Sequence, residues 1–376
     1  MNVYKKCFGR DKYCFHFRIY LIISQSPKVG KSYAIYMGLF NFFTQDIAID
    51  LGTANTLIIH NDQVVVDEPS IVAMDRTTNK IIAVGKRAMM MDGKVHENLK
   101  TIRPLKDGVI ADFNAAEGMI REMIKLIYPK KPLFAPSWRM VICIPSSITE
   151  VEKRAVRDSA EQAGAKEVYM IHEPMAAALG IGIDVEEPCG NMVIDIGGGT
   201  TGISIISLSG IVCDESIRIA GDEFTADIIE AMRRYHSLLI GDRTAEQIKI
   251  QVGSALKELD NPPDDVAVNG RDLVTGIPKQ IMVSYQEVAD ALDKSVFKIE
   301  EAILKALEKT PPELAADIFR RGLYLTGGGA LLRGLDIRIS SKIKLPVHIA
   351  EDPLRSVVRG TGMALKHVHK YPFLMQ

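Results

Sequence analysis

The chain has 376 residues, enough for two or three compact domains, each with a sizeable buried core. Hydrophobic residues at 47% and charged residues at 25% match the globular average and exclude wholesale disorder. The net charge of −1 divides into +6 over residues 1–36 and −7 over the rest, and an acidic body gives no support for nucleic-acid binding.

Residues 1–36 are basic and rich in aromatic side chains, with no helical or strand period. Gly30-Lys31-Ser32 is not a Walker motif, because Gln25 stands where its first glycine belongs. The apolar run Ile19–Ile23 is too short for a spanning helix or a secretory signal. Regular patterning begins at Ile47. Strand-like runs follow at 47–51, 56–59, 64–66, 71–74 and 81–84, then a helix over 115–127 with Met119, Ile120, Met123, Ile124 and Ile127 on one face. A strand over 140–144 contains Cys143, read as a buried free thiol. All five cysteines are scattered, without metal-ligand spacing, which fits a reducing cytoplasm. An amphipathic helix opens at Thr149 with Glu152 in the capping-box position. A strand over 167–171 and a small-residue helix over 175–179 close this half.

Then the pattern restarts. A strand over 192–196, a glycine turn and a second strand over 202–208 are followed by helices at 223–238, 244–256, 285–308 and 313–321. A strand over 323–326 leads into another glycine turn and helix, and a last helix spans 354–367. Asp50-Leu51-Gly52-Thr53 and Asp195-Ile196-Gly197-Gly198-Gly199-Thr200 therefore occupy equivalent places 145 residues apart, each at the end of an apolar strand before a second strand. This duplication is the main architectural signal.

Glycines at such turns let backbone N–H groups approach an anion, and threonine hydroxyls add donors. An aspartate there repels phosphate but suits a magnesium ion held through waters. Two such hairpins facing across a cleft would clamp a metal-polyphosphate, whereas either alone reads equally as an ordinary hairpin. Gly327-Gly328-Gly329-Ala330 offers a third close approach of backbone to a nucleotide.

These motifs, with Glu173-Pro174-Met175-Ala176-Ala177-Ala178 between them, stand in the order shared by actin, DnaK-type chaperones and sugar kinases. The longer strings Ile49–Thr56, Ile102–Asp112 and Ile217–Glu223 resemble the MreB family of bacterial actin homologues over about 37–367. The resemblance implies an α/β actin-like ATPase fold: two duplicated RNase H-like domains with inserted subdomains around a nucleotide cleft. Subdomain IA is expected at 37–72, 120–183 and 350–376, IB at 73–119, IIA at 184–220 and 296–349, and IIB at 221–295.

It further implies ATP and Mg²⁺ as ligands. Thr53, Ala54 and Asn55 match the first phosphate loop, and Gly198, Gly199 and Thr200 the second. Asp50 and Asp195 would hold magnesium waters, and Glu173 would orient the attacking water. Glu246, Gln247, Ile248 and Lys249 match the adenosine segment; Glu246 and Lys249, three apart on a helix, read otherwise as an exposed ion pair. Gly328, Gly329, Ala330 and Leu331 match the remaining nucleotide contact.

Implied too are self-assembly into filaments with paired protofilaments, a place at the inner face of the cell membrane, and cell-wall elongation partners such as MreC, MreD and RodZ. Leu39, Phe40, Phe42 and Phe43 are candidate lipid contacts, as are Met89, Met90 and Met91 beside Lys86, Arg87 and Lys94; both groups read otherwise as core. The chain departs from the family pattern twice. Gly202 stands where an acidic residue usually follows Thr200-Thr201, and residues 1–36 are foreign to it, so translation is expected to begin at Met37. A small-molecule kinase on the same fold would need an acceptor pocket with a general base, which no motif announces. A chaperone ATPase would need a substrate domain after the nucleotide fold, where nine residues follow His367.

Overall fold

The computed structural model describes residues 44–127 and 137–376. Within them the chain builds two five-stranded mixed sheets on one plan. In the first, β1 (Thr44–Leu51), β2 (Asn55–His60) and β3 (Gln63–Pro69) form an antiparallel meander. After the short helix α1 (Gly85–Met91) and the longer α2 (Phe113–Ile127), β4 (Ser137–Ile144) joins β1 in parallel. Helix α3 (Glu150–Gln162) then crosses to β5 (Ala165–His172), parallel to β4. The spatial order is β3-β2-β1-β4-β5.

Helix α4 (Glu173–Gly180) leads into the second sheet, where β6 (Asn191–Ile196), β7 (Thr201–Ser207) and β8 (Gly210–Ile217) repeat the meander. Helices α5 (Gly221–His236), α6 (Asp242–Val252), α7 (Tyr285–Glu308) and α8 (Pro312–Arg321) precede β9 (Leu323–Thr326). Helix α9 (Leu335–Ile343) precedes β10 (Val347–Ile349), and α10 (Ser356–Lys366) follows. The order β8-β7-β6-β9-β10 matches the first sheet strand for strand. Smaller sheets lie between these elements, one from Val72–Asp75, Ile81–Val84 and Leu99–Ile102, another from Leu238–Leu239, Val266–Asp272 and Pro278–Val283.

Both faces of the first sheet are covered, which is why its central strands read as continuous apolar runs. Ile47, Ile49 and Leu51 of β1 pack with Met119, Ile120 and Met123 of α2 and Val156 of α3. Ala48 and Cys143 face the other way, onto α4 and α10. That layer also takes in Val193 and Ile206 of the second sheet, so α4 and α10 lie between the sheets. The far side of the second sheet is packed by apolar residues of α5, α6, α7 and α9.

Helices α4 and α10 cross with their backbones touching. A Cβ on Gly180 would lie 1.8 Å from the Ser356 carbonyl oxygen, and one on Gly360 would lie 1.8 Å from that of Ala176. Neither neighbour is a flexible side-chain end, so a methyl there forces the helices apart. Gly360→Ala gains about 1 kcal/mol of helix propensity and loses more to overpacking. Chemical denaturation should show it less stable by about 2 kcal/mol or more.

Element ends differ from the sequence expectations by small amounts with local causes. The Thr149 side chain does accept from the Glu152 N–H, the Thr149 N–H donates in return to Glu152 Oε2, and α3 starts one residue later. Helix α6 stops at Val252 instead of 256, because Gly253 turns to an extended conformation. After β9 the glycines form a 3₁₀ turn over Gly328–Leu331, and α9 begins only at Leu335.

Candidate nucleotide site

The duplicated hairpins meet. Asp50 pairs with Leu57 and Leu51 with Thr56; Asp195 pairs with Gly202 and Ile196 with Thr201. Each aspartate is thus one residue short of its strand end, in the same register relative to its turn. The turns abut: a Cβ on Gly198 would be 2.6 Å from Ala54 Cβ, and one on Gly199 would be 3.0 Å from Thr53 Cγ2. Side chains at these glycines would fill the approach to both sets of backbone N–H groups.

Each turn is held from behind. Ser70 Oγ donates to the Gly52 carbonyl at 2.6 Å and lies 2.9 Å from Thr56 Oγ1. Thr201 Oγ1 donates to the Ile219 carbonyl at 2.6 Å, while the N–H groups of Gly221 and Asp222, opening α5, donate to the carbonyls of Gly197 and Gly198. Thr53, a buried residue, accepts at Oγ1 from the Gly108 N–H at 3.1 Å.

Three carboxylates converge here from β1, β6 and the first residue of α4. Burial, then the Asp195 charge, pushes the Asp50 carboxyl up to about 7 from an ordinary 3.8. Burial raises Asp195 to about 6. Glu173 is held well above the usual carboxylate range by burial and then by Asp195, Asp50 and Asp214. Glu173 and Asp195 line one pocket with Thr200, Gly202 and Pro145. Desolvated, mutually repelling acids fit a site whose charge is balanced by a cation. Among the described residues no three His, Cys, Asp or Glu side chains are placed to hold an ion directly. Asp50, Asp195 and Glu173 beside two glycine turns are hard oxygen donors of the kind that suit a hydrated magnesium ion.

The adenosine candidates form a closed network. Lys249 Nζ lies 2.6 Å from Glu246 Oε2 and donates to the Gly221 carbonyl at 2.7 Å and to Thr225 Oγ1 at 3.1 Å. Thr225 Oγ1 lies 2.9 Å from the same Glu246 oxygen. The Glu246 side chain is 42% exposed, but that of Lys249 is 14% exposed and ties α6 to the turn of α5 that supports the second hairpin. Gln247 points to solvent and Ile248 into the core, as the helical period requires.

The sequence profile of the MreB/Mbl protein family matches residues 44–372. The cell shape-determining protein Mbl of Bacillus subtilis is 46% identical over 331 residues, covering 88% of this chain and 98% of the relative. The chain belongs to the MreB/Mbl family. The cell shape-determining protein MreB of Escherichia coli K12 is 47% identical over 334 residues, 87% of this chain and 94% of the relative. The crystal structure of MreB 5 of Spiroplasma citri bound to AMPPNP aligns with a TM-score of 0.81 at 39% identity, covering 87% of this chain and 97% of that one. The fold is accordingly the actin-like ATPase fold.

Two turns make contacts that the sequence pattern does not specify. Gly327, at φ +79°, sits so close that a Cβ would be 2.4 Å from Asp195 Oδ1, which places the third glycine turn directly against the second aspartate. Behind it Gly328 and Leu331 are exposed and Ala330 is buried. The turn Asp107-Gly108, with φ of +53° and +76°, wedges against both hairpins. Gly108 reaches Thr53 as above, and the Asp107 backbone would be 3.0 Å from a Gly199 Cβ. An Asp-Gly pair is a recognisable left-handed turn signal, but its docking is tertiary.

Of the MreB-type membrane candidates, Leu39, Phe40, Phe42 and Phe43 lie outside the described residues. Met89–Met91 end helix α1: Met90 is 59% exposed, while Met89 and Met91 pack on Ile71, Ala73, Ala83 and Ala88. Among the described residues no helix is long and apolar enough to cross a membrane.

The raised carboxyls make stability pH-dependent. A carboxyl with a folded pKa above its unfolded value binds its proton more tightly in the fold. Below about pH 4 both states are protonated; as pH rises towards 7 the folded protein must carry charges it disfavours, and stability is lost. Without nucleotide, the fall between pH 5 and pH 8 should be on the order of 3 kcal/mol. Denaturation of an Asp50→Asn, Asp195→Asn variant should show that part removed. This comparison separates it from His172, whose burial-depressed pKa acts with the opposite sign.

Proposed function

We propose that this chain is an ATPase that grips Mg·ATP between its two hairpins and assembles head-to-tail into filaments, with protofilaments paired. The observation that carries the reading is the abutment of two in-register hairpins with Asp50, Asp195 and Glu173 converging between them. In this reading Thr53, Ala54 and Asn55 contact the phosphates from one side, Gly198, Gly199 and Thr200 from the other. Asp50 and Asp195 would hold the waters of a magnesium ion, which when bound would neutralise phosphate charge. Glu173 orients the attacking water. Glu246 and Lys249 shape the adenosine side with Gln247 and Ile248 on the same helix, and Gly328, Gly329, Ala330 and Leu331 close it.

The segments 73–119 and 221–295 are read as subdomains IB and IIB, inserted into IA (37–72, 120–183, 350–376) and IIA (184–220, 296–349). Nucleotide acts through its differential affinity for open and closed arrangements of these lobes. The filament lies at the inner face of the cell membrane, with Met90 and the Phe-rich segment before β1 as lipid contacts. There it organises peptidoglycan synthesis with MreC, MreD and RodZ and maintains rod shape. Kinship with cell shape-determining proteins and with a relative that binds AMPPNP supports this reading over a small-molecule kinase.

High-speed sedimentation tests it. The protein should pellet with Mg·ATP and remain in the supernatant without nucleotide, and anionic vesicles should float with the polymer. Nucleotide-independent solubility, together with phosphate transfer to a sugar or acetate acceptor, would establish the kinase instead.

A further inference from the structure

The pocket that holds Glu173 has walls from both sheets. Pro145, Ser146 and Ser147, just after β4, and Glu173 with Pro174 form one side; Asp195, Thr200, Gly202, Ser204 and Ser216 form the other. The second wall has a gap. Gly202 pairs with Asp195 on one flank and Ser216 on the other, and a Cβ added to it would meet nothing within 4 Å, so no side chain closes the pocket there.

Two residues further along the same face, Ser204 is paired with Asp214 of β8. The buried Ser204 hydroxyl donates to Asp214 Oδ1. The other oxygen, Oδ2, accepts from Ser146 Oγ at 2.6 Å, a length typical of a hydroxyl on a carboxylate. A single side chain thus anchors on the second sheet and reaches the loop after β4 of the first, beside the open position. The same carboxylate acts electrostatically on both Glu173 and the adjacent His172, and His172 Nδ1 lies 3.4 Å from the Pro145 carbonyl of that wall.

We infer that Asp214 is a positioning residue for hydrolysis: by tying Ser146 to the second sheet it closes the Glu173 pocket across the gap left by Gly202. The tie bonds Ser146 and Ser204, not the turn residues or Lys249, so it governs the enclosure of water beside Glu173 more than the grip on nucleotide. This rests on the role proposed for Glu173.

Single-turnover ATP hydrolysis and fluorescent-nucleotide affinity should be measured on the full chain for Asp214→Ala, Ser146→Ala, the two combined, and Ser146→Thr. At this solvent-exposed carboxylate one such bond, about 1 kcal/mol, corresponds to about fivefold. Each alanine variant should therefore be about fivefold slower, the double variant no slower than either, and Ser146→Thr, which keeps the hydroxyl, equal to the parent. Affinity should stay within about twofold throughout. Unchanged rates, independent effects that multiply, or affinity falling with rate would overturn the inference. Glu173→Gln is run alongside: if it hydrolyses ATP like the parent, the Glu173 reading fails; if it is inactive while Asp214→Ala is normal, only the Asp214 tie fails.

Discussion

Glu173→Gln should bind ATP at least as tightly as the parent while hydrolysing it ~10²–10⁴ more slowly, the usual cost of losing a group that orients or deprotonates the attacking water. The first-turn position of Glu173 in α4 favours an anion, yet burial and three neighbouring aspartates push its carboxyl the other way. A carboxyl with this raised proton affinity is suited to take a hydrogen bond, or a proton, from a water. Glutamine keeps the shape and one oxygen but accepts no proton. Binding survives because the candidate phosphate contacts are backbone N–H groups and hydroxyls of the two turns, held by Ser70, Thr201, Gly221 and Asp222 and not by Glu173. Removing one negative charge from the pocket favours a polyanion further. Quench-flow for the chemical step and titration with a fluorescent analogue for affinity separate the two effects. Hydrolysis retained within tenfold would reduce Glu173 to a helix-start carboxylate.

The double architecture was legible because its signals are local. Asp50 and Asp195 sit in strands buried on both faces, so the flanking residues are apolar without interruption, and each run ends in glycine and threonine at equal register. The capping box at Thr149 and the span of α7 were equally local. What escaped is amphipathic or edge structure. In strand β8 every second residue, Val212, Asp214 and Ser216, is exposed, and the strand carries no long apolar run. The hairpin Val266–Asp272 with Pro278–Val283 is largely exposed and starts its second strand on a proline, a combination that reads as loop.

The site divides along the same line. That Glu246 and Lys249 share a helix face follows from spacing; that Lys249 also bonds Gly221 and Thr225, more than twenty residues away, does not. The string around Asp107-Gly108 was visible, but its contact with Thr53 and Gly199 depends on how the segment between α1 and α2 folds back. Gly327 lies outside the matched positions because its importance is steric: it is the neighbour of Asp195 that has no room for a side chain.

The largest effect on binding should come from the two aspartates together. Each is desolvated, the Asp195 charge adds to the cost of charging Asp50, and in the absence of a cation both are pushed towards neutrality. Held magnesium would reverse that, since a divalent ion stabilises both charged forms and links them to the phosphates. Asp50→Ala, Asp195→Ala keeps the glycine turns and their supporting hydrogen bonds and removes two acids from the pocket, so nucleotide lacking metal should bind weakly but no less tightly than to the parent. Calorimetric titration of that variant with Mg·ATP is the most direct measurement: affinity lower by about 100-fold or more is expected, with ATP plus EDTA binding both proteins weakly and the variant no less tightly than the parent. Parental affinity for Mg·ATP would show that the paired hairpins are not a metal-nucleotide clamp.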